Sequence, residues 1–279
     1  MTVRWGVAGP GPVAGKVLRD LAYVPDAVLT AVGSRSADRA AAFAAALAGP
    51  AGHGQVPAAH GSYQALMRDP DVDVVYVATP HPHHRALALA ALAAGKAVLV
   101  EKSFTVTPAA TRPYHPERGD GLLFHLGVYP VSFAQMLLGA PEAVVAHGVV
   151  HESGVDVEES VLLRYPGGRS ALLFASLRSP APGEARVLGT AGWIQVPPRF
   201  HYPSRIVLHR VGHDPEVIEA PLTGAGYTHE LAEVTERVAG GQTESEIMPL
   251  ADTVAVQDVL GEIAGQLGIR VIEGPAELP

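Results

Sequence analysis

The 279-residue chain contains no cysteine. Disulfides, thiolate nucleophiles and cysteine-ligated zinc are therefore excluded, and a reducing compartment is the natural expectation. Basic runs are missing as well: 20 Lys and Arg are outnumbered by 28 Asp and Glu, for a formal net charge of -8. A surface that neutralises nucleic-acid phosphates needs clustered positive charge, so no nucleic-acid partner is expected. Long apolar runs are absent too. The longest tempting apolar helix, Ala86 to Ala94, falls far short of the roughly 20 residues that span a bilayer. Met1 to Trp5 lead straight into a strand-like run, without the basic region and apolar segment of a secretory signal. The expectation is a cytoplasmic protein with no membrane partner. There is no internal repeat and no low-complexity tract beyond alanine-rich helices.

What is present is enough apolar material, 48% of residues with only 17% charged, to fill a sizeable core. The length favours two domains over one, and the two halves have different rhythms. In the first hundred residues strand-like runs (Val3 to Ala8, Val28 to Ser34, Val74 to Ala78, Ala97 to Glu101) alternate with helical stretches (Val13 to Tyr23, Ala37 to Leu47, Tyr63 to Arg68, His84 to Ala94). This order builds a parallel sheet covered by helices. Pro108, Pro113 and Pro116 then mark a linker, which places residues 1–107 in one domain and 108–279 in another. After a helix at Val131 to Leu138, extended runs follow from Glu142 to Val211. Turn signals such as Pro166-Gly167-Gly168 separate them, and the expectation is an antiparallel meander. Helices at Thr228 to Val238 and Leu250 to Leu267 close the chain.

The strongest local motif is Gly9-Pro10-Gly11-Pro12-Val13-Ala14, between the first strand and the first helix. It satisfies G-x-G-x-x-G/A, whose glycines allow a tight turn and bring backbone N–H groups close to a pyrophosphate. Pro12 suits the first helical turn, where its missing N–H leaves nothing unpaired. A plain strand-to-helix turn is the bland alternative. The second strand ends in Gly33-Ser34-Arg35-Ser36, where an NAD-specific protein usually places an acidic residue for the ribose 2′-hydroxyl. Ser34, Arg35 and Arg39 offer a hydroxyl and positive charge to a 2′-phosphate instead, so NADP(H) is expected over NAD(H). Both arginines could equally be solvated surface charges.

The strand ending at Ala78 runs into Thr79-Pro80-His81-Pro82-His83-His84, at the carboxyl edge where open α/β sheets bind ligands. The three His invite a metal centre. Two prolines make the segment an extended loop without regular ligand spacing, so a cofactor-contacting loop of Thr79, Pro80, His81 and His84, with no metal, is the expectation. Glu101-Lys102 closes the next strand at the same edge. Partial burial would lower the Lys102 pKa enough for proton exchange with a substrate hydroxyl or carbonyl, although surface exposure is the commonest fate of a lysine.

At these residues the chain resembles the Gfo/Idh/MocA oxidoreductases, especially the branch of dimeric dihydrodiol dehydrogenase and glucose-fructose oxidoreductase. The resemblance is carried by Gly9 to Ala14, Ala78 to Pro82, Val100-Glu101-Lys102, Leu126-Gly127-Val128-Tyr129-Pro130, Gly192-Trp193-Ile194 and Glu244 to Leu250, in the family's order over nearly the whole length. It implies an α/β protein: an N-terminal Rossmann parallel sheet and a C-terminal α+β domain with an open, predominantly antiparallel sheet. It further implies hydride transfer between nicotinamide and an oxygen-bearing carbon, with Lys102 as proton relay and Tyr129 as a second acid/base or hydroxyl ligand.

Three departures stand beside these matches. Ser103 replaces the family's proline, and His125 replaces its aspartate. Only 23 positions separate Lys102 from His125, several dozen fewer than usual. The missing stretch ordinarily supplies the last Rossmann strand, its preceding helix and the start of the substrate domain. A natural contraction and an incomplete chain both account for it.

The resulting expectation is an NADP(H)-dependent oxidoreductase acting on a sugar-like or cyclic diol or ketone, with Lys102, Tyr129 and His125 catalytic. Gly9, Gly11, Pro12, Val13, Ala14, Ser34, Arg35, Arg39, Thr79, Pro80, His81, His84, Glu101 and Lys102 would border the cofactor. The partners expected are a small polyol, sugar or ketone and a second copy of the chain, paired through the face of the Glu158 to Tyr165 strand that carries Ser160, Leu162 and Arg164. A catalytically silent NADP(H)-binding sensor or assembly protein is the alternative from another class. A metal-dependent hydrolase centred on His81, His83 and His84 is a distant third.

Overall fold

A computed structural model describes residues 1–49, 51–103, 121–269 and 278. The N-terminal sheet is parallel throughout, with strands β1 (Val3–Ala8), β2 (Ala27–Gly33), β3 (Ala58–His60), β4 (Val74–Val77) and β5 (Ala97–Val100) in the order β3-β2-β1-β4-β5. Its central strands read as nearly continuous apolar runs because helices cover both faces. On one face Trp5, Val7, Leu29 and Tyr76 pack with residues of α1 (Pro12–Leu18) and α2 (Ala37–Leu47). On the other, Ala31, Val75 and Val77 pack with α3 (Tyr63–Met67) and α4 (His84–Ala93). Ser36 and Ser62 accept hydrogen bonds from the first-turn N–H groups of α2 and α3, the usual way such a helix start is satisfied.

Two antiparallel ladders follow. Strands β6 (Ala143–Val150), β7 (Asp156–Arg164) and β8 (Ser170–Ser176) form one; β9 (Ala185–Gly189), β10 (Gly192–Val196), β11 (Arg205–Arg210) and β12 (Glu216–Glu219) form the other. The inner face of β7, with Val161 and Leu163 buried, packs against α5 (Val128–Leu138) and α7 (Leu250–Leu267). The helix α6 (Thr228–Ala239) follows these strands in sequence but returns to the N-terminal sheet. There Leu231 is fully buried in the first core, and Trp5 Nε1 donates to Thr235 Oγ1 at 3.3 Å. Burying one leucine contributes about 2 kcal/mol, so α6 is anchored on the first sheet, across the 230 positions that separate Trp5 from Thr235.

The expected α/β architecture is present, with three differences in detail. The short strands β3 and β12 were not anticipated, because three residues of Ala-Ala-His and four of Glu-Val-Ile-Glu carry too little periodicity. The helix expected from Val131 begins at Val128 and is preceded by a π-turn, Leu123–Gly127, in which the Val128 N–H bonds the Leu123 carbonyl. Pro130 interrupts the helical pattern in the sequence, yet the helical run is continuous from Leu122 through the π-turn into α5, so the proline sits within the run and leaves out one bond of its ladder. The proline-rich linker around Pro108, Pro113 and Pro116 lies outside the described residues.

Candidate active site

The carboxyl ends of the parallel strands open into one cleft of about 1090 Å³, at the upper end of the roughly 300–1,000 Å³ usual for small-molecule sites. At its head β1 runs into Gly9, whose φ of +101° and whose contact with the Ala78 carbonyl, 2.9 Å from where a Cβ would stand, both demand glycine. Nothing lies within 4 Å of the corresponding position on Gly11, which leaves room for a ligand to approach the backbone. The first turn of α1 carries Pro12 and no acidic residue, an arrangement that suits an anion. Pro12 and Val13 line the cleft. Ala14 does not: it is fully buried in the core beneath, as expected for the position that packs helix on strand.

Ser34, Arg35 and Arg39 line the same cleft beyond the end of β2. Ser34 is buried, and its Oγ accepts from the Ser36 N–H at 3.2 Å, which sets the turn that presents Arg35. Both arginines lie close enough to the Tyr63 phenol to oppose the rise in its pKa that burial causes.

The loop after β4 brings Thr79, Pro80 and His81 to the cleft wall. His81 Nε2 donates to the Lys102 carbonyl at 2.9 Å. Burial first, and then the neighbouring His84 and Lys102, push the His81 pKa down to about 4. His84 is fully buried behind this wall, outside the cleft lining. Its Nδ1 faces the Ser103 carbonyl at 3.1 Å and its Nε2 the Thr79 carbonyl at 2.7 Å. His84, expected to border the cofactor, thus stands behind the cleft wall, and its ring ties two loops together there. His81 and His84 turn ring nitrogens onto backbone carbonyls, and among the described residues no group of His, Asp or Glu is arranged to hold a metal.

At the far end Glu101 and Lys102 follow β5. Tyr76 Oη donates to Glu101 Oε1 at 2.7 Å, and the Lys102 N–H donates to Glu101 Oε2 at 3.0 Å. Lys102 Nζ donates to the His125 carbonyl at 2.9 Å, lies 3.5 Å from His125 Nδ1, and stands 5.1 Å from the Tyr129 ring centroid. Burial lowers the Lys102 pKa, against the pull of Glu101. Burial and then Lys102 bring His125 down to about 4, so its imidazole is neutral through the physiological range. Burial and then Glu101 push the Tyr129 phenol up to about 12. Three groups 23 and 27 positions apart in sequence thus converge on one proton-handling cluster.

The cluster rests on the π-turn, a feature that often marks functional positions. Asp156 Oδ2 accepts from the Leu123 N–H at 2.6 Å, and a side chain at Gly127 would collide with Glu159 Oε1. Burial and then Asp156 push Glu159 up to about 8. Residues the motifs did not indicate complete the walls: Lys16, Tyr76, His201, Tyr202, Tyr227 and Glu230. His201 stacks on Tyr129 with ring centroids 4.5 Å apart. Tyr76 looks in the sequence like any aromatic in a buried strand, and the others sit in loops or helices without a local signature.

A glycine turn for pyrophosphate, paired arginines at one end of the cleft and a half-buried lysine at the other are the parts of a nicotinamide-dinucleotide-dependent oxidoreductase. Residues 3–114 match the oxidoreductase family with NAD-binding Rossmann fold, and residues 88–195 match the GFO/IDH/MocA C-terminal domain; the chain belongs to the GFO/IDH/MocA family. It is 30% identical to trans-1,2-dihydrobenzene-1,2-diol dehydrogenase of Mus musculus and 28% to that of Xenopus tropicalis, in each case over 96% of this chain and 98–99% of the relative. The two alignments run over 335 and 334 positions, more than the 279 residues here, so the relatives carry stretches that this chain lacks. Among solved structures, KijD10, a 3-ketoreductase from Actinomadura kijaniata in complex with NADP, superposes with a TM-score of 0.76 at 23% identity, covering 96% of this chain and 98% of that one. Aldose-aldose oxidoreductase from Caulobacter crescentus superposes with a TM-score of 0.80 at 19% identity, covering 98% and 100%. At these identities the two structures speak for the fold.

Proposed function

We propose that the chain is an NADP(H)-dependent dehydrogenase or reductase acting on a cyclic diol, a sugar or the corresponding ketone. The observation that carries this reading is the single cleft that joins Gly9, Gly11 and Arg35 at one end to Lys102, His125 and Tyr129 at the other. The glycine turn receives the pyrophosphate; Arg35 and Arg39, with Ser34, meet the 2′-phosphate, for which a guanidinium is well matched. When bound, the cofactor takes or gives a hydride at the nicotinamide. Lys102 accepts the hydroxyl proton as the carbinol carbon is oxidised and returns it when the carbonyl is reduced, so each turnover exchanges one hydride and one proton. Neutral His125 holds the lysine in place without a charge, and the Tyr129 phenol donates a hydrogen bond to the substrate oxygen. The dihydrodiol relatives, the sugar-acting neighbours and the hydroxyl-binding character of the cluster support this substrate class.

Residues 1–107, with α6 returning to them, form the cofactor domain of this proposal; the remainder of 108–279 forms the substrate and pairing domain. The chain acts as a cytoplasmic homodimer, for which the absence of cysteine and an uncovered sheet face are the support. Titration of NADPH by fluorescence, followed by a turnover screen over dihydrodiols, sugars and ketones, tests the function. Tight NADPH binding with turnover of a member of these classes is the expected result. Binding without any turnover returns the chain to the silent-binder alternative.

A further inference from the structure

The acceptor that Lys102 uses is a backbone carbonyl inside a helical run, where carbonyls are ordinarily taken by the ladder. Helical backbone is continuous from Leu122 through the π-turn into α5, yet the His125 carbonyl receives the Lys102 ammonium at 2.9 Å. The register of the turn explains why it is open. The Val128 N–H bonds the Leu123 carbonyl, five positions back, and in that register the His125 carbonyl falls to residue 130. Residue 130 is a proline, which has no N–H to give. In the ordinary α register, four positions back, the proline would leave the Leu126 carbonyl short instead. The π-turn therefore sets the gap in the ladder at His125, where Lys102 reaches it.

The turn is held in this register from several sides. Asp156, fully buried on β7, accepts from the Leu123 N–H at 2.6 Å at the start of the turn. Gly127 at its end lies against Glu159 Oε1, with no room for a Cβ. Ser103, fully buried beside Lys102, donates its hydroxyl to the Phe124 carbonyl at 2.7 Å. Two successive carbonyls of the turn, those of Phe124 and His125, are thus bonded by two successive side chains beyond β5.

We propose that Pro130 is a positioning residue for the proton relay: by leaving the His125 carbonyl without a ladder donor, it keeps that carbonyl open to the Lys102 ammonium. This rests on the reading that Lys102 moves the proton in turnover. A proline within a helical run weakens the helix, and a fixed acceptor for a long, flexible side chain is what the active site gains in return.

Pro130→Ala restores an N–H to the ladder and tests the inference, because the amide of residue 130 then competes with Lys102 for the His125 carbonyl. A carbonyl acceptor favours the charged ammonium, so its loss lowers the Lys102 pKa; the expected shift is about one unit. The chain has three lysines, Lys16, Lys96 and Lys102, so NMR of lysine-labelled protein resolves this titration and needs no substrate. The other groups around the ammonium are Glu101 beside it, His81 after β4, His125 in the turn, Tyr129 on α5 and His201 between β10 and β11. The substitution removes none of them.

In turnover, kcat of Pro130→Ala should fall about 10- to 100-fold, with KM and NADPH affinity nearly unchanged and Tm equal to wild type or higher. In the Lys102→Met background Pro130→Ala should cost nothing further, since two residues acting through one contact are not additive. Pro130→Ser supplies the same N–H and should give the same shift, and thermal melts show that the variants fold. A Lys102 pKa that stays in place in both variants, or an equal loss of turnover in both backgrounds, overturns the inference. A shifted pKa with unchanged turnover confirms the contact but removes Lys102 from the relay, and the positioning role falls with it.

Discussion

The Lys102 ammonium donates to the backbone carbonyl of His125 at 2.9 Å and meets that residue's Nδ1 at 3.5 Å. A lysine held by a carbonyl and a neutral imidazole keeps its donor geometry without the full charge of a carboxylate partner. Lys102→Met removes the proton relay while preserving much of the side chain's bulk. Turnover should fall by about 10²- to 10⁴-fold, with NADPH affinity and the cooperative thermal transition retained. Normal turnover in this variant would hand the proton-donor role to Tyr129.

Replacing the neutral partner with a charged one tests the same contact through pH. In the oxidation direction Lys102 must be unprotonated, so rate rises as pH passes through its burial-lowered pKa. His125→Asp adds a negative charge beside the ammonium and favours the protonated form. The acid limb of the kcat profile should move to higher pH by about one unit. A limb that stays in place would separate His125 from the lysine's titration.

Cofactor choice is read at the opposite end of the cleft. A guanidinium–phosphate contact is worth about 1.5–3 kcal/mol, so Arg35→Asp should weaken NADPH binding about 10- to 100-fold and leave NADH nearly unchanged. Fluorescence titration of both cofactors gives the answer; an unchanged ratio would make Arg35 a solvated surface charge.

The buried carboxyl of Glu159 links stability to pH. Its folded-state pKa, about 8 against an ordinary 4.5, means that the folded chain keeps a proton the unfolded chain has released across that window. Stability contributed by this group is therefore complete below about pH 4.5 and is lost as pH rises toward 8. Glu159→Gln keeps the shape without the titration. Its Tm should exceed wild type by several degrees at pH 8 and approach it near pH 5; equal Tm differences at both pH values would contradict the assignment.

The outer face of β6, β7 and β8 presents Val145, Leu172 and Phe174 to solvent, with Leu172 83% exposed, opposite the face that α5 and α7 cover. Under the proposed function this apolar patch is the surface through which two copies pair. Light scattering at micromolar concentration should give a dimer, and Leu172→Glu a monomer that still binds NADPH. A wild-type monomer would leave the face without its proposed partner.

Much of the fold is legible in the sequence because it rests on short-range rules. Val3–Ala8, Ala37–Leu47 and Leu250–Leu267 have the boundaries their apolar periodicity predicts, and the Gly9 turn is announced by residues that only its backbone geometry requires. Lys102 and Tyr129 were visible through motif resemblance, and Arg35 through its place after a strand. Nothing local could show that the Pro130 segment is helical, since a proline inside a helical pattern usually ends the helix before it. His84 illustrates the converse: its neighbours in sequence suggested the cleft, whereas burial turned its ring onto the Thr79 and Ser103 carbonyls.

The sequence by itself therefore determined the parallel sheet, the dinucleotide turn and the chemical types available at the strand ends, because each follows from backbone preference and side-chain period within a few residues. Only the tertiary structure decided which distant groups share one volume of low dielectric. Lys102 meets His125 and Tyr129 through the π-turn propped on Asp156, and α6 borders the same cleft because it crosses back onto the first sheet. Proximity of that kind sets protonation through burial and Coulomb interaction, and neither is encoded in the spacing of residues along the chain.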